Sequence, residues 1–232
     1  MSALLEPAAF DAPRPPTATE MIFDGLYHRI ITLDLPPGER MSEAEVSRAL
    51  GVSRQPVRDA FWRLSKLGFL TVRPQRATTV SAISEAAVRQ AQFIRTAVEA
   101  DTVRIAVGRL TGADLAMLSS VLEAQAGAVE ARDKEVFHAL DDSFHREICE
   151  RAGLGFVWAL VRENKAHMDR ARYLSLSFGL ETALMEHRAI LAALQARDEA
   201  AAVGAMRVHL ARILLDLPRI RADNGRYFGD EG

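Results

Sequence analysis

Hydrophobic residues recur every three or four positions along most of this chain, which is the spacing of one face of an amphipathic helix. In residues 19–80 this pattern predicts three helices, with a short turn at Gly51 between the second and the third. Two short apolar runs with threonine and valine follow and predict strands. The predicted helices cover 19–35, 42–50 and 54–68, and the predicted strands cover 69–74 and 78–83.

From residue 84 onward the apolar positions keep the helical period. Short polar or glycine-containing breaks divide this part into six helices, which is enough to bury a separate core. The predicted helices cover 84–108, 112–131, 133–152, 155–173, 180–196 and 198–217. The expected fold is mainly α: a winged helix-turn-helix unit of three helices and a two-stranded wing, followed by an all-α bundle of six helices. The expected boundaries are a flexible tail at 1–17, the winged unit at 18–80, the helical unit at 84–220 and a frayed tail at 221–232.

Composition narrows the class of protein. The 232 residues include a single cysteine, Cys149, which excludes an internal disulfide and a cysteine-based zinc cluster. No apolar run reaches the ~18 residues that a membrane-spanning helix needs. The first residues lack the basic start and the long apolar segment of a signal peptide. We therefore expect a cytoplasmic protein with no membrane partner.

Basic residues are concentrated in one segment, although the whole chain has a net charge of −2. Within 48–76, Asp59 is the one acidic residue. The basic residues of this segment are Arg48, Arg54, Arg58, Arg63, Lys66, Arg73 and Arg76. Such a cluster is a candidate nucleic-acid surface. A solvated helix face would give the same pattern, so charge alone leaves both interpretations open.

Two helices joined by a short turn that contains glycine form the helix-turn-helix pattern. The apolar stripe of the second helix leaves a polar face at its N-terminus. That face carries Arg54, Gln55 and Arg58, and Ser53 is expected to cap the helix. In this motif such side chains reach base edges in the major groove, where arginine suits guanine and glutamine suits adenine. The side chains expected nearer the phosphates are Arg63, Lys66, Arg73 and, at the tip of the wing, Arg76.

The sequence GVSRQPVRDA at 51–60 is similar to the helix-turn-helix motif of the GntR family of bacterial transcription regulators, and the resemblance covers about 20–80. It implies a winged helix in which Ser53, Arg54, Gln55 and Arg58 touch operator DNA. Three positions depart from the family pattern. Gln55 replaces the usual threonine, Ala44 stands where many members have a basic residue, and Ala77 replaces the usual glycine of the wing turn. We expect Gln55 to change the operator sequence that is recognised, Ala44 to remove one phosphate contact, and Ala77 to change the conformation of the wing turn.

Residue types that bind metals interrupt the apolar stripes of three helices in the second unit. His145, His187 and His209 each lie on a face that should be buried, and Asp141 precedes His145 by one helical turn. A buried carboxylate costs several kcal/mol unless it is paired or coordinated. For any one histidine, a hydrogen-bonded core residue explains the pattern, but the four residues together predict a divalent metal site. Zn²⁺ is the first choice, with Ni²⁺ and Mn²⁺ as alternatives.

The helical segment resembles the FCD domain, the effector domain of the FadR-type subfamily of GntR regulators, over most of 84–217. The resemblance rests on the motifs DDSFHREI at 141–148, HRAILAAL at 187–194 and AMRVHL at 205–210. It implies that Asp141, His145, His187 and His209 hold a metal. On this interpretation Asp141 shares the metal and does not pair with an arginine. Its neighbour Asp142 points about 100° away and is expected to be an ordinary polar residue.

An effector site is predicted beside the metal. The segment FIRTAVEA at 93–100 resembles a subfamily motif whose arginine reaches the carboxylate of the ligand, which makes Arg95 the candidate. An i,i+4 ion pair with Glu99 explains the same spacing, so both interpretations stay open. The further candidates for this cavity are Asn164, His167 and Arg188.

Together these features predict a transcription regulator, expected to be a repressor, that binds double-stranded operator DNA as a homodimer. A small organic acid or sugar acid would control its affinity for DNA. The alternative is a metal-sensing regulator, in which the metal itself is the signal. A metal-dependent hydrolase is a third hypothesis. The site shows no obvious general base and the hydrolase leaves the DNA-binding unit unexplained, so we do not expect an enzyme.

Overall fold

The computed structural model describes residues 15–73 and 77–229, so most of the predicted tail at 1–17 lies outside the described residues. The N-terminal unit has helices α1 (Ala18–Ile31), α2 (Glu43–Leu50) and α3 (Arg54–Lys66), and strands β1 (Arg40–Met41), β2 (Leu70–Thr71) and β3 (Thr78–Val80). The strands are antiparallel in the order β1-β3-β2, with Arg40 opposite Thr79 and Leu70 opposite Val80. The wing sheet thus contains one more strand than predicted, because the two residues of β1 are too few to show a strand period.

Local capping fixes the ends of the first helices. Thr17 and Glu20 form a capping box at the start of α1. Ser42 accepts a hydrogen bond from the backbone N–H of Glu45 at 3.4 Å at the start of α2. Gly51 follows α2 in the left-handed conformation, with φ 65°, which glycine adopts without steric strain. This glycine therefore sets the tight turn that leads into α3.

The second unit has six helices, as predicted. They are α4 (Glu85–Arg109), α5 (Gly112–Glu130), α6 (Lys134–Arg151), α7 (Gly155–Asn164), α8 (Ala166–Gln195) and α9 (Glu199–Asn224). The break predicted at 174–179 is wrong, because α8 continues through Gly179 and the break lies at Lys165. A glycine inside a helix costs about 1 kcal/mol relative to alanine. Burial of Leu176 and Leu180 in the core of this unit offsets that cost.

Residues 221–229 are more ordered than the frayed tail expected at 221–232, of which 230–232 lie outside the described residues. Helix α9 ends at Asn224, and a short 3₁₀ turn follows it. The backbone N–H of Ile83 donates to the carbonyl oxygen of Tyr227 at 2.8 Å, and the N–H of Gly229 donates to the carbonyl oxygen of Ile83 at 3.0 Å. The tail is therefore held by the segment that joins the two units.

Helix α8 packs against both units. Ala166 and Tyr173, near its N-terminus, belong to the same buried cluster as Phe23 of α1 and Phe61 of α3. The C-terminal half of α8 contributes to the core of the helical bundle. At about 1.5 Å per residue, its 30 residues extend about 45 Å. Within 15–73 and 77–229, no helix combines the length and the apolar composition that crossing a membrane requires.

Candidate metal centre and DNA-binding surface

Three histidine side chains converge inside the helical unit. His145 comes from α6, His187 from α8 and His209 from α9. The Nε2 atom of His209 lies 3.1 Å from that of His145 and 3.3 Å from that of His187. Asp141 adds an oxygen, since its Oδ1 atom lies 3.4 Å from Nε2 of His187. The four predicted ligands are thus brought together, buried and with their donor atoms within 4.8 Å of one another.

The outer nitrogens of two of these histidines face oxygen acceptors. His187 Nδ1 lies 2.8 Å from Oε1 of Gln125, and His209 Nδ1 lies 3.1 Å from Oε2 of Glu186. Such acceptors hold Nδ1 as the N–H donor of a neutral imidazole. The lone pairs of the Nε2 atoms are therefore directed toward the centre of the cluster.

Glu99 and Arg95 complete this arrangement around His145. His145 Nδ1 lies 2.6 Å from Oε2 of Glu99. Arg95 and Glu99 are both 2% exposed and form a buried ion pair, with Arg95 Nη2 at 3.1 Å from Glu99 Oε2. Burial alone would raise the pKa of Glu99, but Arg95 and His145 hold that pKa below its ordinary range. The i,i+4 pair that the sequence left open is therefore present.

The histidine cluster has the chemistry and the spacing of a metal site. Burial and the neighbouring histidines hold the pKa of His187 well below its ordinary value, and burial and His145 do the same for His209. Neutral imidazoles whose lone pairs face one another repel unless a cation lies between them. Zn–N bonds of about 2.0–2.1 Å at tetrahedral angles hold ligand nitrogens about 3.3 Å apart. The observed Nε2 separations of 3.1 and 3.3 Å match that spacing.

The expectation that Asp141 has no arginine partner is wrong. The guanidinium of Arg172 contacts the carboxylate of Asp141. Arg172 Nη1 also lies 3.3 Å from Oδ1 of Asp142 and 3.1 Å from Oδ1 of Asp169. The sequence did not reveal this contact because Arg172 lies on α8, and no regular spacing relates it to α6. Burial of the Asp141 carboxylate is thus compensated by a cation from a neighbouring helix.

Asp142 is also not the ordinary polar residue that was expected. Its Oδ2 atom lies 2.5 Å from Nζ of Lys165, which is buried between α7 and α8 and lies 2.8 Å from Oδ2 of Asp169. Despite burial, these carboxylates raise the pKa of Lys165, whereas burial raises the pKa of Asp169 to about 6. We call Arg172, Asp142, Asp169 and Lys165 the ion network.

A cavity of about 110 Å³ adjoins the histidine cluster. A cavity of this size has room for a small-molecule ligand. The polar residues that line it are Arg95, Asp141, Arg172, Ser175, Thr182, Glu186, His209, Arg212 and Asp216. The cavity therefore places two of the candidate metal ligands, Asp141 and His209, next to three arginines, the side chains that hold carboxylates best.

The structure places the other three predicted effector residues away from this cavity. Asn164 is exposed at the end of α7. His167 accepts a hydrogen bond from the backbone N–H of Ser84 at 3.2 Å, at the junction of the two units. Arg188 is exposed on α8, since one residue of helix turns it about 100° from His187. None of the three lines the cavity next to the histidine cluster.

The predicted DNA-contacting face is exposed at the N-terminus of α3. It presents Ser53, Arg54, Gln55 and Arg58, all exposed. Ser53 is the N-cap residue, but its hydroxyl makes no capping hydrogen bond. Arg58 Nε lies 3.5 Å from Oε2 of Glu43. Because ion pairs between exposed groups contribute only about 0–1 kcal/mol, bases and phosphates can replace this contact.

The remaining basic residues are more dispersed. The guanidinium carbon of Arg63 lies 4.1 Å from the centre of the Phe23 ring, and Lys66 Nζ lies 5.6 Å from a Trp62 ring centre. Arg63 and Lys66 both line a cleft of about 830 Å³ between the winged unit and helices α6 and α7. Arg73 is exposed beside the wing. Arg76, predicted at the wing tip, lies outside the described residues.

Comparisons with known proteins agree with this architecture. Residues 18–80 match the family model "Bacterial regulatory proteins, gntR family", and residues 90–212 match the model "FCD domain". The chain belongs to the GntR family. Its FCD domain is the helical unit that contains the histidine cluster, so the family membership and the mainly α fold predicted from the sequence are confirmed.

Relatives of this GntR protein are transcription regulators. It is 37% identical to "HTH-type transcriptional repressor RspR" of Escherichia coli (strain K12), over 91% of this chain and 94% of that protein. It is 32% identical to "Probable D-xylose utilization operon transcriptional repressor" of Paenarthrobacter nicotinovorans, over 85% of this chain and 88% of that protein. The solved structure "E. coli McbR/YncC" aligns with a TM-score of 0.77 at 25% identity, over 88% of this chain and 99% of that one. The chain is thus a DNA-binding transcriptional regulator and not an enzyme.

Sequence reasoning missed the residues that surround the predicted ligands. Gln125 is a polar residue within the apolar stripe of α5, which is the same kind of sequence signal that identified the histidines. The structure shows that its side chain is fully buried. Glu186 stands next to His187 in the chain, but its partner is His209 on another helix. Arg172 carried no such signal. Finding these residues requires knowledge of which helix faces pack together.

Proposed function

We propose that this GntR regulator is a homodimeric repressor whose affinity for double-stranded operator DNA is set by a small carboxylate effector. The effector binds beside a divalent metal, with Zn²⁺ as first choice, held by Asp141, His145, His187 and His209. The observation that carries the proposal is the set of three inward-facing Nε2 atoms at zinc-like spacing next to a cavity lined by arginines. When bound, the metal supplies a positive centre to which a carboxylate oxygen can coordinate.

The exposed N-terminus of α3 supports the DNA-binding part of the proposal. Arg54, Gln55 and Arg58 provide donors for base edges, and Ser53 provides a hydroxyl for a phosphate. Helix-turn-helix proteins place two such helices in major grooves about one helical turn apart, and this is the reason to propose a dimer. Arg73 beside the wing adds positive charge for the backbone.

The cavity supports the ligand part of the proposal. Arg95 is held rigidly by Glu99, and Arg172 and Arg212 stand on other parts of the wall. Arginine donates two parallel hydrogen bonds to a carboxylate. A small acid can therefore place one oxygen at the metal and be held by arginine through the others.

Operator binding can be tested by fluorescence anisotropy with duplexes that tile the DNA upstream of the protein's own coding region. We expect Arg58→Ala to weaken binding by about 1–3 kcal/mol, which is the typical cost of losing one base contact. The control is Arg89→Ala, which removes the same charge from an exposed position on α4. Wild-type protein that binds no duplex, or equal binding by Arg58→Ala, would contradict the proposal.

The metal and the effector can be tested on the full-length protein by metal analysis and by a thermal-shift screen of organic and sugar acids. We expect one divalent ion per chain and a rise in melting temperature with a subset of small acids, because a ligand that binds the native state stabilises it. A chain that binds no divalent ion would refute this part of the proposal without affecting the DNA-binding part.

A metal-sensing function is the second candidate, and one contact favours it. Arg172 touches Asp141, so coordination of an ion by Asp141 changes that contact without any organic ligand. If the metal is the signal, operator affinity follows the free Zn²⁺ concentration in buffers that contain no carboxylate. If the acid is the signal, adding the acid changes operator affinity further while the protein is kept saturated with Zn²⁺.

A further inference from the structure

A continuous series of contacts connects the candidate metal centre with the DNA-binding unit. Asp141 contacts Arg172, and Arg172 Nη1 lies 3.1 Å from Oδ1 of Asp169. The other oxygen of Asp169, Oδ2, accepts a hydrogen bond from the hydroxyl of Tyr27 at 3.0 Å. Tyr27 belongs to α1, so three contacts lead from α6 to the first helix of the winged unit. We infer that Arg172 senses whether Asp141 is engaged by a ligand and that the ion network transmits this to Tyr27.

Exclusion of water makes these contacts strong. The Asp169 side chain is fully buried, and those of Lys165 and Arg172 are 1% and 12% exposed. Lys165 ties the network together, because its ammonium lies 2.8 Å from Asp169 and 2.5 Å from Asp142. Removing one partner from a buried ion pair is far more costly than at the surface. The contacts between Arg172, Asp169 and Tyr27 are therefore sensitive to the loss of a charged partner.

Arg172 is the point at which ligand binding enters the network. It contacts Asp141, which is a proposed metal ligand, and it also forms part of the cavity wall. When Asp141 coordinates a divalent cation, it has less negative charge to share with Arg172, and the guanidinium is repelled by the cation. Arg172 then turns to Asp142 and Asp169, or to an anion in the cavity. Either change alters the ion pair between Arg172 and Asp169, whose carboxylate accepts the hydrogen bond from the Tyr27 hydroxyl.

Tyr27 is placed where a shift can reach the recognition helix. Helix α1 shares a buried cluster with α3, through Phe23 and Leu26 on one side and Phe61 on the other. Tyr27 itself packs edge-on against Phe69, with ring centres 5.1 Å apart. A change in the hydrogen bond of Tyr27 therefore acts on the core that orients α3. Allosteric coupling of this kind needs two sites and an element that both of them bias.

The inference rests on the proposed function in one respect, that Asp141 is a metal ligand. It can be tested with Zn²⁺ alone by hydrogen exchange of peptides from α1, with zinc content measured on the same samples of the full-length protein. We expect Zn²⁺ to change the amide exchange rates of α1 in the wild type by about 5–150-fold. This is the range of factors that typical allosteric coupling energies produce. In Tyr27→Phe this response should disappear while zinc content stays the same.

A matched control is available in the same interface. Tyr173→Phe also removes one hydroxyl from the α1–α8 contact, but among the described residues the Tyr173 hydroxyl has no hydrogen-bond partner. It should keep the zinc response of the wild type. Arg172→Lys should lose the response, because one ammonium cannot replace the fork that spans Asp141 and Asp169.

The outcomes separate the two proposals. Zinc binding without any change in α1, or an equal change in Tyr27→Phe and wild type, would overturn this inference and leave the metal site intact. Absence of zinc binding would overturn both. A zinc response that is present in wild type and Tyr173→Phe but lost in Tyr27→Phe would support the inference.

Discussion

The adjacent residues Asp141 and Asp142 allow a sharp test of the candidate metal centre. Asp141 lies among the histidines, whereas Asp142 holds Lys165 in the ion network. Asparagine preserves the shape of each side chain and removes its charge. We expect Asp141→Asn to lose the metal and Asp142→Asn to keep it at lower overall stability.

The magnitudes follow from ligand linkage and from the ion pairs. Zn²⁺ at 100 times its Kd stabilises the native state by about 2.7 kcal/mol. For a chain of 232 residues this is roughly 5–11 °C in melting temperature. If Asp141→Asn weakens zinc binding about 100-fold, the gain falls to about 0.4 kcal/mol, or roughly 1–2 °C. In Asp142→Asn, Lys165 keeps its ion pair with Asp169 but loses the ion pair with Asp142, whose atoms are 2.5 Å apart. We expect this loss to lower the free energy of unfolding by about 1–3 kcal/mol, with or without zinc.

The assay is thermal unfolding of both variants in chelator and in excess Zn²⁺, together with zinc content per chain. The wild type and Asp142→Asn should show the same zinc-induced rise from different starting temperatures. Asp141→Asn should show almost none. If Asp141→Asn retained one zinc per chain and the full rise, Asp141 would not be a ligand and the reasoning from its burial would be refuted.

Two further predictions concern the helical unit. Burial lowers the pKa of His138 to about 3, and burial with Arg170 lowers that of His167 to about 4, so both stay neutral in the folded protein. The unfolded chain takes up these protons below about pH 6.5, so stability is greatest above that pH and falls on acidification by about 1.4 kcal/mol per pH unit for each histidine. His138→Gln should reduce the pH dependence of the urea midpoint, and an unchanged slope would contradict this account. Arg95→Ala should abolish the thermal shift caused by carboxylates on zinc-loaded protein and should cost about 3–5 kcal/mol, because Glu99 stays buried without its cation. A full ligand shift in this variant would remove Arg95 from the effector site.

The fold and the metal-ligand candidates were accessible from the sequence for a physical reason. A histidine or aspartate within an apolar helical stripe conflicts with burial, and such conflicts mark special sites. His187 and His209 stand between buried leucine, isoleucine and methionine residues, so their unusual position was visible without a structure. The helical period was sufficient to assign each of these histidines to the buried face of its helix, because hydrophobic periodicity is the strongest local signal in a sequence.

The surroundings of the site were not accessible because they depend on which helices meet. The contact between Arg172 and Asp141 joins residues of α8 and α6, and the contact between His167 and Ser84 joins α8 to the segment between the units. Neither spacing has a local signature. The continuity of α8 through Gly179 was missed for a related reason, since burial of the flanking leucines outweighs the weak helix propensity of one glycine.

The balance of buried charge supports the proposal that an anionic effector binds this site. Among the described residues, Asp141, Asp142 and Asp169 form ion pairs with two permanent cations, Arg172 and Lys165, while Arg95 is paired with Glu99 and Arg212 with Glu186. With neutral histidines the metal-free group therefore carries one excess negative charge. A divalent ion at Asp141 reverses this to one excess positive charge in a region of low dielectric, where an uncompensated charge is costly. A monocarboxylate in the cavity would restore neutrality. Its partner would be Arg172 on the cavity wall, because a metal bound by Asp141 would weaken the contact between Asp141 and Arg172. Binding of metal and binding of acid should therefore be positively coupled, and the affinity of the zinc-loaded protein for small acids should exceed that of the metal-free protein.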